Sequence, residues 1–207
     1  TGLYPQPDAR EVSSRLSAAS MAYYADSDRQ AQIEREVLER YGVESVDELP
    51  INYGAYVLQV SEDLSEPEFD RLYADLNTRY AAQETVKRWF SLLTPAIAAA
   101  NLSRGIAGTD RLHQSEFRAA AERHRREMVE LLNEDYMLNA GDAGAAYRGD
   151  AALWARFEDF EHTPPALGAI AGRYLADAAV ALLWFVLASV IAYRLVARAV
   201  RGEEAAE

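Results

Sequence analysis

Cysteine is absent from this 207-residue chain, which rules out a disulfide framework and any thiolate metal site. Histidine is scarce: three are present, His113, His124 and His162. No Gly-x-x-x-x-Gly-Lys-Ser/Thr loop and no Gly-x-Gly-x-x-Gly turn occurs, so no recognisable route to nucleotide hydrolysis exists in these residues. His-Glu-x-x-His and Gly-x-Ser-x-Gly are missing as well, which removes the common zinc-hydrolase and serine-hydrolase signatures. No stretch alternates apolar and polar residues for long enough to make a half-buried strand, so no sheet is expected. Basic charge is in deficit too. Twenty-one Lys and Arg against 33 Asp and Glu give a net charge of −12, which argues against nucleic acid or an anionic surface as the partner of the acidic part. The opening residues, Thr1 to Pro7, have neither the basic start nor the apolar core of an export signal.

What is present is one long apolar run near the C-terminus, Tyr174 to Tyr193. It is about 20 residues long, enough for an α-helix to cross a bilayer core. Tyr174 and Tyr193 bound it, Trp184 and Phe185 lie within it, and Arg194, Arg198 and Arg201 follow at helical spacing. Aromatic ends suit the headgroup level and short basic flanks mark the cytoplasmic side, so the bulk of the chain is expected outside. Asp177 interrupts the run. Arg173, four residues earlier, is placed to pair with it near the outer interface, where both could snorkel. A buried core helix of a soluble protein is the alternative reading of the same residues. With an external domain and no export signal, the chain reads as a piece of a larger membrane protein. Gly168, Gly172 and Ala176 stand four apart and would let another helix approach closely; small residues are also simply common in such helices.

The rest reads as helices. Asp8 with Glu11 forms a capping box, and Val12, Leu16, Ala19 and Tyr23 follow on one face. A break is expected near Ser27, then Ile33, Val37 and Tyr41 resume the pattern and Gly42 ends it. A second helical stretch starts at Asn52. Ser65-Glu-Pro67-Glu68 reads as the start of another helix, running through Phe69, Leu72, Leu76, Tyr80, Val86 and Phe90 to Leu93. Thr94-Pro95 opens a short apolar helix closed by Gly108, and Thr109 or Asp110 caps the next, which continues to about Asn139. Residues 151–160 read as a short helix, and Pro164-Pro165 breaks the chain before the apolar run.

Among candidate sites, Asp110, His113 and Glu116 step by three along one helix face, a pattern that can hold a divalent ion. A capping Asp and a solvated His explain the same letters, and no metal or other cofactor is assigned. Glu122 to Glu127 reads as a solvated charged face.

A more specific pattern lies in Leu92-Leu-Thr-Pro-Ala96, Leu102-Ser103, Ala107-Gly-Thr-Asp110, His113, Phe117, Ala120-Ala-Glu122 and Arg125-Arg126, with Asp47 to Asn52 upstream and Leu132-Asn133, Leu153-Trp154 and Asp159-Phe160 downstream. These residues resemble a bacterial family of ABC-2-type permease subunits that carry a large extracytoplasmic helical domain of uncharacterised function. The resemblance covers most of the chain from about Tyr41 onward. The family often has two consecutive histidines after Gly-Thr-Asp; here the pair is Leu112-His113, which weakens any role built on a histidine pair. The resemblance implies an export-type permease in the bacterial cytoplasmic membrane, working with an ABC ATPase subunit and a second permease subunit. It implies no enzyme active site.

The expected architecture is therefore all-α: an elongated extracytoplasmic helical bundle or hairpin over 1–163, a transmembrane helix with its juxtamembrane ends over 164–202, and a cytoplasmic tail over 203–207. Lipid is an expected partner and nucleic acid is not. The alternative is a single-pass, membrane-anchored interaction or receptor-like module, with a helical hydrolase or metal enzyme as a third. The helix lengths further predict two long antiparallel helices (65–93 and 110–139) whose connecting corner, 94–109, forms a far tip away from the bilayer. Its Ile97, Leu102 and Ile106 would be covered by the N-terminal helix, Asp8 to Tyr41, or otherwise by a partner subunit.

Overall fold

A computed structural model of the protein describes residues 8–21 and 23–204. Residues 1–7 of the expected external domain and 205–207 of the expected tail lie outside the described residues. All regular structure described is helical: α1 (Ala9–Ser20), α2 (Ser27–Tyr41), α3 (Tyr53–Ser91), α4 (Pro95–Ile106), α5 (Arg111–Asn139), α6 (Ala151–Trp154) and α7 (Leu167–Glu204), with short 3-10 turns at Val46–Glu48 and Gly141–Ala146. The expected all-α fold with one long apolar C-terminal helix is what is found. The residues group into two compact units, Thr1–Tyr80 with Ala119–Glu161 and Ala81–Arg118 with His162–Glu207.

In the first unit, local signals set the helix ends. Asp8 caps α1 by accepting from the Arg10 N–H at 3.1 Å, while Glu11 turns away to Arg15 at 2.7 Å. The expected break near Ser27 is real: Asp26 caps α2 through the Arg29 N–H. Gly42 ends α2 at φ 67°, a left-handed conformation that glycine adopts without strain. The core of the unit joins Tyr23, Ile33 and Val57, with Tyr53, Tyr56, Val60 and Leu64 packed around them. Burial drives the Tyr53 phenol well above its ordinary value, helped by its hydrogen bond with Tyr23.

The first unit also holds two corrections. The helix start expected at Ser65 does not exist, because α3 runs unbroken through Pro67. Ser65 is buried and donates its hydroxyl back to the Glu62 carbonyl instead of capping. Contacts to α5 on both sides of the proline hold the helix straight through a local stop signal: Asn133 Nδ2 donates to Gln59 Oε1 at 3.0 Å, and Arg126 pairs with Glu66 at 3.5 Å and Asp70 at 2.7 Å. The order of these pairs makes α3 and α5 antiparallel, as expected. The second correction concerns Glu122 to Glu127, which is no simple solvated face. Glu122 accepts from Arg125 and Arg126, and Arg125 reaches Glu62 at 3.3 Å. Arg125 above all, then Arg126, holds the Glu122 carboxyl below its usual range.

Helix α6 is also shorter than expected. Asp150 caps it through the Leu153 N–H at 2.9 Å, but it ends at Trp154, and Phe157 packs against Trp154 from outside the helix, rings tilted at 5.4 Å. Beside it, Asp135 accepts from Tyr147 at 2.6 Å and Asn139 at 2.8 Å.

The second unit overturns the expected far tip. Helix α4 packs along α7. Ala98 is fully buried, and Ile106, Leu102 and Gly105 line an apolar groove of about 230 Å³ with Ile170, Tyr174 and Leu175 of α7. The corner therefore lies beside the long apolar helix, which buries Ala98 and Gly105 but leaves Ile106 exposed. The N-terminal helices spend their buried residues in the first unit, where Tyr23 and Ile33 meet Val57. The expectation rested on helix lengths, which fix a helix's reach but not the face it presents.

Candidate functional site

Helix α7 carries the most distinctive chemistry. Its segment Ile170–Arg201 spans 32 residues with a mean hydropathy of 2.3, and 6% of its most apolar window is buried. A core helix of a soluble protein would be largely covered. This one is long and apolar enough to cross a membrane and bares Leu182, Leu183, Phe185, Val186 and Tyr193. The expected anchor residues Tyr174, Trp184, Phe185, Tyr193, Arg194 and Arg198 all lie on this one helix. Gly168 and Gly172 have no described atom within 4 Å of an added Cβ, and Ala176 is exposed, so nothing described in this chain occupies the expected packing seam. The close approach occurs at Gly105 of α4 instead, where a Cβ would stand 2.5 Å from the Tyr174 ring.

Asp177 departs most from expectation. The proposed partner Arg173 reaches Glu84 of α3, at 4.0 Å. Asp177 is 1% exposed and faces protein. Its Oδ1 accepts from Asn101 Nδ2 of α4 at 2.9 Å, and its Oδ2 stands 4.0 Å from Arg88 Nε of α3 without a hydrogen bond. Pairing within one helix was inferred from spacing alone. Neighbours from two other helices supply a better site, because a buried carboxylate needs partners that desolvate with it.

Around Asp177 opens a polar cavity of about 330 Å³. Lys87, Arg88, Arg104, Arg111 and Arg173 line it against Glu84, Asp110 and Asp177. Glu84 holds Arg111 at 3.5 Å as well as Arg173. Cations exceed acids in the lining, the reverse of the chain as a whole. Such a cavity can hold anionic groups against guanidinium and ammonium donors. Reading the sequence missed it, since its charges come from four separate stretches with no spacing rule joining them.

Of the metal candidates, Asp110 and His113 come together. Asp110 Oδ1 accepts from the His113 backbone N–H at 2.9 Å and lies 2.5 Å from its Nδ1. That is the capping arrangement, set up by Gly108 at φ 66°, whose backbone passes against the His113 ring. Glu116 is exposed one turn on, and no group of three potential ligands stands together among the described residues. His162 meets the Phe117 ring edge-on at 5.3 Å, and in the first unit His124 lies 5.4 Å from Phe160.

Fold and site together define an all-α protein whose last helix can cross a membrane, with a cationic cavity against that helix. The chain belongs to the family described as Domain of unknown function (DUF3526), which it matches over residues 9–163. No curated protein and no solved structure matches it.

Proposed function

We propose that this chain is the extracytoplasmic domain and a membrane helix of an ABC-2-type permease subunit, part of an ATP-driven export system whose ATPase is a separate chain. The observation that carries the reading is α7: an exposed apolar helix of membrane-crossing length, followed by Arg194, Arg198 and Arg201, directly after a helical domain of the DUF3526 family. Short arginine-bearing flanks favour the cytoplasmic side, which puts residues 1–163 outside. The residue pattern around Leu92 to Asp110 supports the permease assignment by resemblance. In this role the chain binds and couples and carries out no bond-making step. Its partners are the ATPase, a second permease subunit and lipid.

Two measurements test the proposal. Reporter fusions after Glu207 should read cytoplasmic and those at Gly141 external; the opposite result refutes the topology. The natural full-length protein, tagged and purified from its own membrane, should retain an ABC ATPase. Recovery of a correctly oriented protein without one would favour the single-pass interaction module.

A further inference from the structure

Three helices of the second unit lose their charges at one level. Arg88 of α3 and Asn101 of α4 converge there on the Asp177 carboxylate of α7, at 4.0 and 2.9 Å. On the far side of that level no element carries charge: α3 ends with Trp89–Ser91 and the Leu92–Thr94 turn follows, α4 begins with residues 95–100, and α7 continues as Ala178 to Tyr193. On the near side lie Lys87, Arg104 and Arg173, which line the cationic cavity.

The indole of Trp184 donates to the Leu92 carbonyl at 3.1 Å. This bond fixes the α3–α4 corner beside residue 184, two helical turns and about 10 Å along α7 from Asp177. The corner exposes what water disfavours: Trp89 is 70% exposed, Leu93 69%, and Phe90 and Leu92 about half. Much of its backbone is nonetheless hydrogen-bonded. Leu92, Leu93 and Thr94 donate to Trp89 and Phe90 carbonyls, Ile97 donates to Thr94, and Thr94 Oγ1 returns to Phe90. Exposed apolar side chains over a hydrogen-bonded turn are what a non-spanning segment needs at membrane depth, where no water can satisfy a free peptide group.

We infer that the α3–α4 corner, Trp89 to Ile97, inserts into the bilayer beside α7, in the half that the N-terminal end of α7 enters, with Lys87, Arg88 and Arg104 at the lipid phosphates. The uncharged part of α7 is about 16 residues, roughly 24 Å, slightly short of a hydrocarbon core of about 30 Å. Arg88 and Asn101, which flank the inserted corner, cover Asp177 with protein, so the carboxylate at the top of the span is kept from lipid. This inference rests on α7 spanning the membrane.

The chain has no native cysteine, so single spin labels report depth without background. Leu93→Cys and Phe90→Cys test the corner, Leu187→Cys marks the span, and Glu116→Cys is the aqueous reference. All four positions are exposed, so labelling leaves the packing undisturbed. The whole chain is reconstituted in phosphatidylcholine–phosphatidylglycerol liposomes and collisions with oxygen and with a water-soluble nickel chelate are compared. The expected result is loss of nickel collisions and gain of oxygen collisions at 90 and 93 to the level seen at 187. Nickel access at 90 and 93 with 187 shielded overturns the insertion alone. Nickel access at 187 overturns the spanning helix itself. Shielding of 90 and 93 from both reagents also overturns the insertion, since a protein neighbour rather than lipid would then cover the corner.

Discussion

Single side chains in this protein are decided by what surrounds them in space, and Asp177 is the clearest instance. Its sequence neighbours suggest a snorkelling pair with Arg173, yet its hydrogen bond comes from Asn101, 76 positions away. Removing the amide leaves a buried carboxylate oxygen without its donor, a loss of about 1–3 kcal/mol. Asn101→Ala should therefore lower the thermal midpoint in detergent, while Asp177→Asn, which keeps an acceptor in place, should lower it less. Equal midpoints for wild type and Asn101→Ala would show that the bond contributes nothing. A second residue-scale case lies in the first unit. Tyr147 donates to Asp135, and that hydrogen bond, with burial adding to it, pushes the phenol up to about 12. A phenol whose folded value lies above its unfolded value of about 10 adds stability that is complete below pH 10 and is lost as pH rises towards 12. Alkaline titration of Tyr147→Phe should lack that part of the loss. An unchanged profile between pH 10 and 12 would rule the bond out as its source.

At the level of elements, most caps and stops were legible and the joins were not; Ser65 and Thr94, read as caps, instead donate back to the Glu62 and Phe90 carbonyls. Asp8 and Asp110 cap the helices they were expected to start, Asp26 and Asp150 cap starts read without a named cap, and Gly42 and Gly108 end theirs at positive φ. Those are local signals, complete within four residues. Pro67 misled because its stop signal is local too, whereas the ion pairs that carry α3 past it belong to α5. The packing of α4 on α7 depends on a residue that sequence reading left unremarked. Gly105 touches the Tyr174 ring, and any side chain there must displace it, along with a buried hydroxyl that has no hydrogen-bond partner. Overpacking of this kind typically costs about 1–3 kcal/mol. Gly105→Leu should loosen α4 from α7 and speed amide exchange in α4, with Gly105→Ala intermediate. Gly168→Ala and Gly172→Ala, whose added methyls meet nothing in this chain, serve as matched controls. Unchanged α4 exchange in Gly105→Leu would mean that the close approach does not hold the two helices together.

For the molecule as a whole, the helical class and the apolar span could be read from the sequence because each is a property of a continuous stretch. The cationic cavity could not. It is assembled from residues 84–88, 104, 111 and 173, and only the return of α4 along α7 brings them together. The same return separates two ways of dividing the chain. The family match ends at residue 163, but the second compact unit joins Ala81–Arg118 to the segment from His162 onward. A fragment of residues 9–163 would thus keep the first unit except for its start, including the Asp8 cap of α1, and strip the second of α7. Lost with α7 are the Asn101–Asp177 bond, the Leu92–Trp184 bond and the Gly105–Tyr174 contact. What remains of α4 would bare Ala98 and Leu102 beside the already exposed Trp89, Phe90 and Leu93, a contiguous apolar surface of the sort that draws detergent or a second copy. Hydrogen exchange on the fragment should show α2 and the start of α3, around Ile33, Val37 and Val57, protected as in the full chain, with α4 exchanging fast. The fragment should also need detergent to stay monomeric. Equal protection of α4 in fragment and full chain would mean that the family domain is structurally complete without α7, and that the packing of α4 on α7 is incidental to its fold.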